Sequence, residues 1–565
     1  LLRGVFVSSC VVRPAWQVMA SLLVTSALAS PLLAEDGMVR FNVTQTAPDK
    51  VVSALRNASA LLLAERDKKT GAEDIFAAAQ AEYGALVGAL YGMGYYAPVV
   101  HVIVDGQEAA AIPPLDAPSH VNQVQVSVDP GPKFTFSATR LAPLAPETDL
   151  PEGFAPGQTA ESGVVREAVQ AGVEGWRQIG HAKAKVASQD VVADHRANTL
   201  SADVRLAPGP RLRFGKLSVT GQERMLQRRI LKIAGLPEGE VYSPETLKRS
   251  ADRLRRTGVF KSVSLAEAET VRAPDYLDID ATLVEEKRRR YSIGAELASF
   301  EGLDLSGYWL HRNLLGGAER LKVEAEIANI GAKDNGVDYI LGVTLERPAT
   351  LTPDTTLSFD TEIGRLDEGY FTAKMFSLGT TLSHYFSDRL TARIGVKYSY
   401  AKFSDIIGDF TFKHFAFPIG ATLDTRDEKL NATKGFYLDG EIRPFLGYGI
   451  TDSGVQMKAD ARSYVTFGEA RPVTLAGRAQ IGAVLGSDLT ATPRDYLFYS
   501  GGGGTVRGQP YQSLGVDSGF LYGEKIGGMS FAALSGEVRA TVTENIGMLS
   551  ACGDGAAPVA KAITA

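Results

Sequence analysis

From about residue 287 to the end of the chain, apolar and polar side chains alternate with a period of two. Leu321, Val323, Ala325 and Ile327 fall on one side of a strand and Lys322, Glu324 and Glu326 on the other. Val337, Tyr339, Leu341, Val343 and Leu345 repeat the pattern, with Asp338, Thr344 and Glu346 opposite. Strands are predicted near 291–299, 303–313, 319–330, 336–346, 355–365, 371–384, 389–402, 409–423, 435–445, 453–467, 473–485 and 530–543. One or two such strands would equally suit a soluble sandwich. Twelve in succession behind an export leader point to an antiparallel transmembrane β-barrel, with lipid outside and water inside. Tyr370, Phe371, Tyr385, Phe386, Tyr398 and Tyr400 gather near predicted strand ends, where an aromatic girdle sits.

Ahead of the barrel the chain repeats itself. Gly131-Pro132-Lys133-Phe134-Thr135-Phe136 returns as Gly209-Pro210-Arg211-Leu212-Arg213-Phe214, and Leu150-Pro151-Glu152-Gly153 as Leu236-Pro237-Glu238-Gly239. Gly94-Tyr95-Tyr96, Gly180-His181-Ala182 and Gly258-Val259-Phe260 each lead from a helical section into a strand. Recurrence at this length predicts an array of three small α+β domains, each ordered strand, helix, helix, strand, strand. In the third, Ser243 followed by Pro244 and Glu245 marks a helix start, and Leu247, Ala251 and Leu254 form its apolar stripe. In the second, Val165, Val169, Val173 and Trp176 form a comparable stripe, which assigns Trp176 to a core.

Charge and composition narrow the chemistry. A net charge of −6 over 565 residues gives no basic bias toward nucleic acid. Cys10 lies in or before the leader, so Cys552 alone follows it and an internal disulfide is excluded from the processed chain. The seven histidines lack metal-site spacing, and no metal or cofactor is expected. Arg13 and the apolar run from Val18 to Leu28 read as a signal peptide over 1–34, cleaved after Ala29 or after Ala34. Asp278 and Asp280 share a strand face that reads as solvated, and without a nucleophile–base pair the chain is not expected to be an enzyme. Lys287-Arg288-Arg289-Arg290 reads either as a solvated linker or as a rim contact with lipid headgroups. Strand edges of the small domains are the expected binding surfaces, adding an unfolded polypeptide as an extra strand.

The connection from about Gly486 to Gly528 far exceeds a hairpin loop and is a functional candidate. It holds Gly501, Gly502, Gly503 and Gly504, then Thr505, Val506, Arg507 and Gly508; the GK[ST] ending of a phosphate loop is absent. The glycines let the backbone fold back, carrying Arg507 into the barrel lumen, where a guanidinium needs a carboxylate partner.

A Val506-Arg507-Gly508 tip on a long loop late in a barrel, behind tandem small domains, resembles the BamA/TamA family of outer-membrane assembly proteins. Asp424-Thr425-Arg426-Asp427 with Thr433-Lys434-Gly435, and Gly536-Glu537-Val538-Arg539, resemble further family segments; Gln509 stands where the family commonly has Tyr or Phe. The resemblance implies POTRA domains at 37–130, 131–208 and 209–286, a barrel domain at 290–555 and a non-family tail at 556–565. Three repeats fit the TamA (translocation and assembly module) branch; the alternative is a two-partner-secretion type export pore. The family pattern implies a thirteenth strand whose aspartate holds the loop arginine. Asp554 is the nearest candidate here, and the barrel is expected to be incomplete, with strands 1 to about 12 or 13. The implied function is insertion of outer-membrane or autotransporter polypeptides at a seam between first and last strands, in the outer membrane of a Gram-negative cell. POTRA domains would receive clients in the periplasm, and an inner-membrane-anchored, periplasm-spanning protein is the implied partner.

Overall fold

Three small helix-backed sheets precede one large sheet in the computed structural model. It describes residues 38–559 except 46, 70, 114–115, 299–301, 334–335, 369–370, 406–407, 469–471, 502–504, 507–513, 518–524 and 544–545. The first unit comprises β1 (Val39–Val43), α1 (Asp49–Ala58), α2 (Ala60–Arg66), α3 (Ala72–Gly92), β2 (Val99–Val104), β3 (Gln107–Glu108) and β4 (Val124–Asp129). The second comprises β5 (Thr135–Ala142), α4 (Ser162–Gln178), β6 (Lys185–Asp194) and β7 (Thr199–Ala207). The third comprises β8 (Arg213–Thr220), α5 (Gln227–Ala234), α6 (Pro244–Arg256), β9 (Phe260–Glu267) and β10 (Tyr276–Glu285).

All three share one topology. The last strand lies at the centre, parallel to the first (β1–β4, β5–β7, β8–β10) and antiparallel to β2, β6 or β9. A parallel first-to-last pair requires a crossover, and the helices supply it. They close cores such as Leu55, Leu61, Leu86 and Leu90 over Val102, Val124 and Val126. In the third unit Ser243 caps α6 by accepting from the Thr246 amide at 3.5 Å, as its sequence predicts. Trp176 packs at the edge of the second core and donates to the Pro143 carbonyl at 2.8 Å.

Only the third unit follows the expected strand, helix, helix, strand, strand order. The first adds a helix and the two-residue β3, because Ser59 ends α1 and starts α2, accepting from the Leu62 amide. The second has α4 alone among its described residues, with turns over 143–161. Pro143, Pro146, Pro151 and Pro156, with Gly153 and Gly157, break any helical run there.

The repeated tripeptides mark the joints. Phe134 donates its amide to Gly94 O, and Leu212 donates to Gly180 O, both at 2.8 Å. Each acceptor glycine has a left-handed φ (+86° and +106°), which turns the chain so that its carbonyl meets the first strand of the next unit.

The large sheet contains, in order, β11 (Arg289–Ala298), β12 (Gly302–His311), β13 (Arg320–Ile330), β14 (Asp338–Arg347), β15 (Thr355–Glu368), β16 (Phe371–Tyr385) and β17 (Leu390–Asp405). It continues with β18 (Gly408–Ala416), β19 (Ile419–Asp424), β20 (Gly435–Gly449), β21 (Gly454–Phe467) and β22 (Val473–Leu485). The small pair β23 (Val516–Asp517) and β24 (Lys525–Ile526) stands apart, before β25 (Ser530–Thr543) and β26 (Ile546–Val559). Every neighbouring pair in the large sheet is antiparallel, and β18 and β19 act as one strand between β17 and β20, interrupted at Pro418, which has no amide to donate. The twelve strands read from the sequence correspond to β11 through β22 and β25. The structure adds β26, which pairs with β25 and runs past residue 555 to Val559. Among the described residues β11 and β26 are the two edges of the sheet.

The period-two pattern sorts onto two faces. Ile293, Leu297, Tyr339, Leu341, Ile363 and Ile394 are exposed on the outer face. The inner face carries paired charge: Arg393 meets Asp439 (3.0 Å) and Glu441 (3.2 Å), and Asp460 meets Arg462 (2.8 Å) and Arg478 (2.7 Å). Turns at 312–319, 348–354, 386–389 and 425–434 lie at the end nearest the small units; the 486–529 connection lies at the other.

Candidate functional site

Two of the places that join elements distant in sequence involve the barrel. The first is the arm of the long connection, which enters the barrel before the glycine run. Asp488 starts a turn by accepting from the Ala491 and Thr492 amides, and Pro493 leads into a short helical turn at Arg494–Tyr496. Tyr496 is 2 % exposed. Its hydroxyl hydrogen-bonds with His414 Nε2 at 2.9 Å, and its carbonyl accepts from Gln456 Nε2 at 2.9 Å. Its ring stands edge-on to Phe445, centroids 5.1 Å apart, and the Arg443 guanidinium lies 5.3 Å from its centre. Arg494, 3 % exposed, donates to Leu489 O and covers Phe410 and Phe412 at 5.3 and 5.7 Å. Phe498 stacks on Phe531 and pairs with Gly528 through two backbone bonds of 2.9 and 2.8 Å.

The sequence-predicted loop residues are placed unevenly. Gly501 is buried with φ +114°, and its amide donates to Thr505 Oγ1 at 2.9 Å. Val506 is also described. Gly502, Gly503, Gly504, Arg507 and Gly508 lie outside the described residues. Asp554 falls in β26, where the pairing with β25 shifts between Leu534 and Gly536. Sequence reasoning passed over Tyr496 and Arg494; the available signal was an aromatic and a cation in an otherwise polar, proline-containing stretch.

The second place is the contact of the third unit with the barrel turns. The Arg229 guanidinium, 8 % exposed, donates to Gly317 O at 3.2 and 3.3 Å and to Pro348 O at 2.6 Å, joining two turns. Arg253 donates to Ala234 O and Gly235 O at the end of α5 and forks onto Asp354 at 3.0 and 2.5 Å. Arg256 reaches Asp354 at 2.7 Å and covers the Tyr385 ring at 3.7 Å. Tyr385, expected in a lipid-facing girdle, thus serves this joint. Burial pushes the Asp354 carboxyl up, but hydrogen bonds and charge from Arg253 and Arg256 outweigh it and hold the group below its ordinary range. Ala318 and Ala349 are fully buried against Met225, Ile230 and Leu254. Glu285 accepts the amides of Glu223, Arg224 and Met225, each at 2.9 Å, which fixes the loop whose Leu226 amide donates to Gly316 O. For Glu285 too, burial raises the pKa and the amide donors more than offset it.

Strand edges complete the inventory. Along the expected 97–104 edge, Ile103 and Val104 are already paired with β3, which leaves the earlier part of β2 open on that side. β6 and β9 are edges of their sheets, and β6 exposes Val191 and Val192. β11 exposes Ile293 (90 %) and Leu297 (81 %). Asp278, read as solvated, accepts from Arg272 and from the Lys216 amide. Among the described residues no group of three or more metal-ligating side chains converges.

An antiparallel sheet with a charged interior and an apolar exterior, entered by a loop and preceded by parallel-edged α/β units, matches known domains. The Omp85 superfamily domain matches residues 313–549, and the surface antigen variable number repeat, POTRA, matches residues 212–285. The chain belongs to the Omp85 superfamily. Its fold resembles BamA from Haemophilus ducreyi lacking POTRA domains 1–3, with a TM-score of 0.55 at 16 % identity over 72 % of this chain and 82 % of that one. CdiB from Acinetobacter baumannii aligns with a TM-score of 0.45 at 12 % identity over 73 % and 77 %. CdiB from Escherichia coli aligns with a TM-score of 0.43 at 14 % identity over 73 % and 77 %. As an Omp85 protein the chain resides in the outer membrane, its POTRA region in the periplasm. The Omp85 barrel faces lipid with its exposed aliphatic residues and water with its ion-paired interior.

Proposed function

We propose that the chain inserts outer-membrane or autotransporter polypeptides into the outer membrane, and that it belongs to the three-POTRA, TamA-like branch. The observation that carries this reading is β11, an edge of the sheet among the described residues, whose outward Ile293 and Leu297 are largely exposed. Such an edge offers backbone donors and acceptors to an incoming strand, and pairing there removes the high cost of unsatisfied groups in hydrocarbon. Exchange of hydrogen bonds and local bilayer thinning then drive insertion without a nucleotide. The units at 37–130 and 131–208, sharing the topology of the matched POTRA repeat at 212–285, support a periplasmic array that receives clients along β2, β6 and β9. Val506, Arg507 and Gly508 would form the loop lock, with Asp554 as carboxylate partner, and an inner-membrane-anchored protein would deliver clients. Photo-crosslinkers along β11 test the reading: they should trap unfolded outer-membrane proteins. Crosslinks to one exported polypeptide confined to the lumen would instead establish the two-partner-secretion type pore.

A further inference from the structure

We propose that Tyr496 is a second fastener of the long loop, independent of Arg507, and that it braces the late barrel wall from within. The arm reaches side chains from five strand segments. Tyr496 meets His414 of β18, Phe445 of β20 and Gln456 of β21; Leu497 shares a buried cluster with Val484 of β22; and Phe498 stacks on Phe531 of β25. Adjacent strands are already joined by backbone bonds, so the arm adds ties that skip strands and oppose a change in wall curvature. The arm lies directly on the wall, because a Cβ at Gly482 would fall 2.9 Å from Phe498 Cδ1. It is closed at its far end by the Phe498–Gly528 pairing, ahead of the glycine run.

The phenol and the ring do separable work. The ring fills the space between His414 and Phe445, at 4.8 and 5.1 Å, while the hydroxyl bonds Nε2 of a histidine that is 2 % exposed. A phenylalanine keeps the packing and loses the bond; an alanine loses both.

The experiment uses the full-length chain in outer-membrane vesicles with Cys552→Ser and a reporter Leu497→Cys, a position 6 % exposed beside the anchor. Maleimide labelling of the reporter reads how often the arm leaves the wall, and heat-modifiable gel mobility confirms that each variant retains its barrel. Tyr496→Phe is expected to speed labelling about fivefold, the effect of one buried hydrogen bond, and Tyr496→Ala more than about tenfold. Arg507→Ala should leave the rate unchanged. If Tyr496→Ala disrupts the barrel, the test passes to Tyr496→Phe, His414→Leu and their combination. Because both single changes remove the same bond, the pair should label more slowly than the product of the two single effects. The proposal is overturned if Arg507→Ala speeds labelling as much as Tyr496→Phe, if neither Tyr496 change alters the rate, or if the Tyr496 and His414 effects multiply.

Discussion

Single side chains decide how the periplasmic region meets the membrane. Asp354 holds two guanidiniums at 2.5–3.0 Å, and all three groups are at most a third exposed. Asp354→Asn keeps the shape but leaves Arg253 facing a neutral amide, and should weaken docking of the third unit by about 2 kcal/mol. Spin labels on α6 and on the 425–434 turn would report the change as a broadened distance distribution. The pH dependence follows from the depressed carboxyl. A group whose pKa is lower when docked stabilises the docked form fully above its ordinary value, 3.8, and that stabilisation is lost as pH falls through the docked value. The distribution should therefore be unchanged from pH 7 down to the ordinary carboxylate range and broaden only under stronger acid. Asp354→Asn should be broad across the whole range. Glu285→Gln removes the charge that gathers three amides, and should expose the 221–226 loop to hydrogen exchange while the α6 core stays protected.

At the scale of elements, Gly482 shows how closely the loop arm lies on β22. Gly482→Val should displace Phe498 and raise protease cleavage of the 486–501 arm, with the β21–β22–β25 pairing retained. The strands were legible because one face must be apolar and the other wet, so the period of two survives even where individual residues depart from it. The α6 cap and stripe were legible for the same reason: local chemistry fixes them. The missing helix of the second unit was also written in the sequence, in four prolines between 143 and 156, but the repeat suggested a helix there. The arm's anchor was not legible, although the length of the connection marked it as a candidate. Tyr496 and His414 are separated by 82 residues, and no periodic pattern brings a loop aromatic against the inner face of a chosen strand. The docking by Arg229, Arg253 and Arg256 was not legible, since their partners are turn carbonyls and one aspartate of the barrel.

Across the whole molecule the two attachments act on different parts of the wall. The third unit holds the turns after β12 and β14 and the end of β16, whereas the loop arm ties β18, β20, β21, β22 and β25. The outer surface is apolar on both parts, and the ion pairs line the inside. Among the described residues β11 and β26 are the edges, and on the proposed reading a client strand joins at β11 without breaking a ladder already formed. The most direct test places a photo-crosslinker in turn at each position from Tyr291 to Leu297 in living cells. Strand addition predicts adducts with unfolded outer-membrane proteins at consecutive positions of β11, in antiparallel or parallel order along one segment of the client. Adducts absent from β11 but present at inward positions such as Lys322, Lys458 and Arg478 would contradict insertion at the edge and mark the lumen as the path.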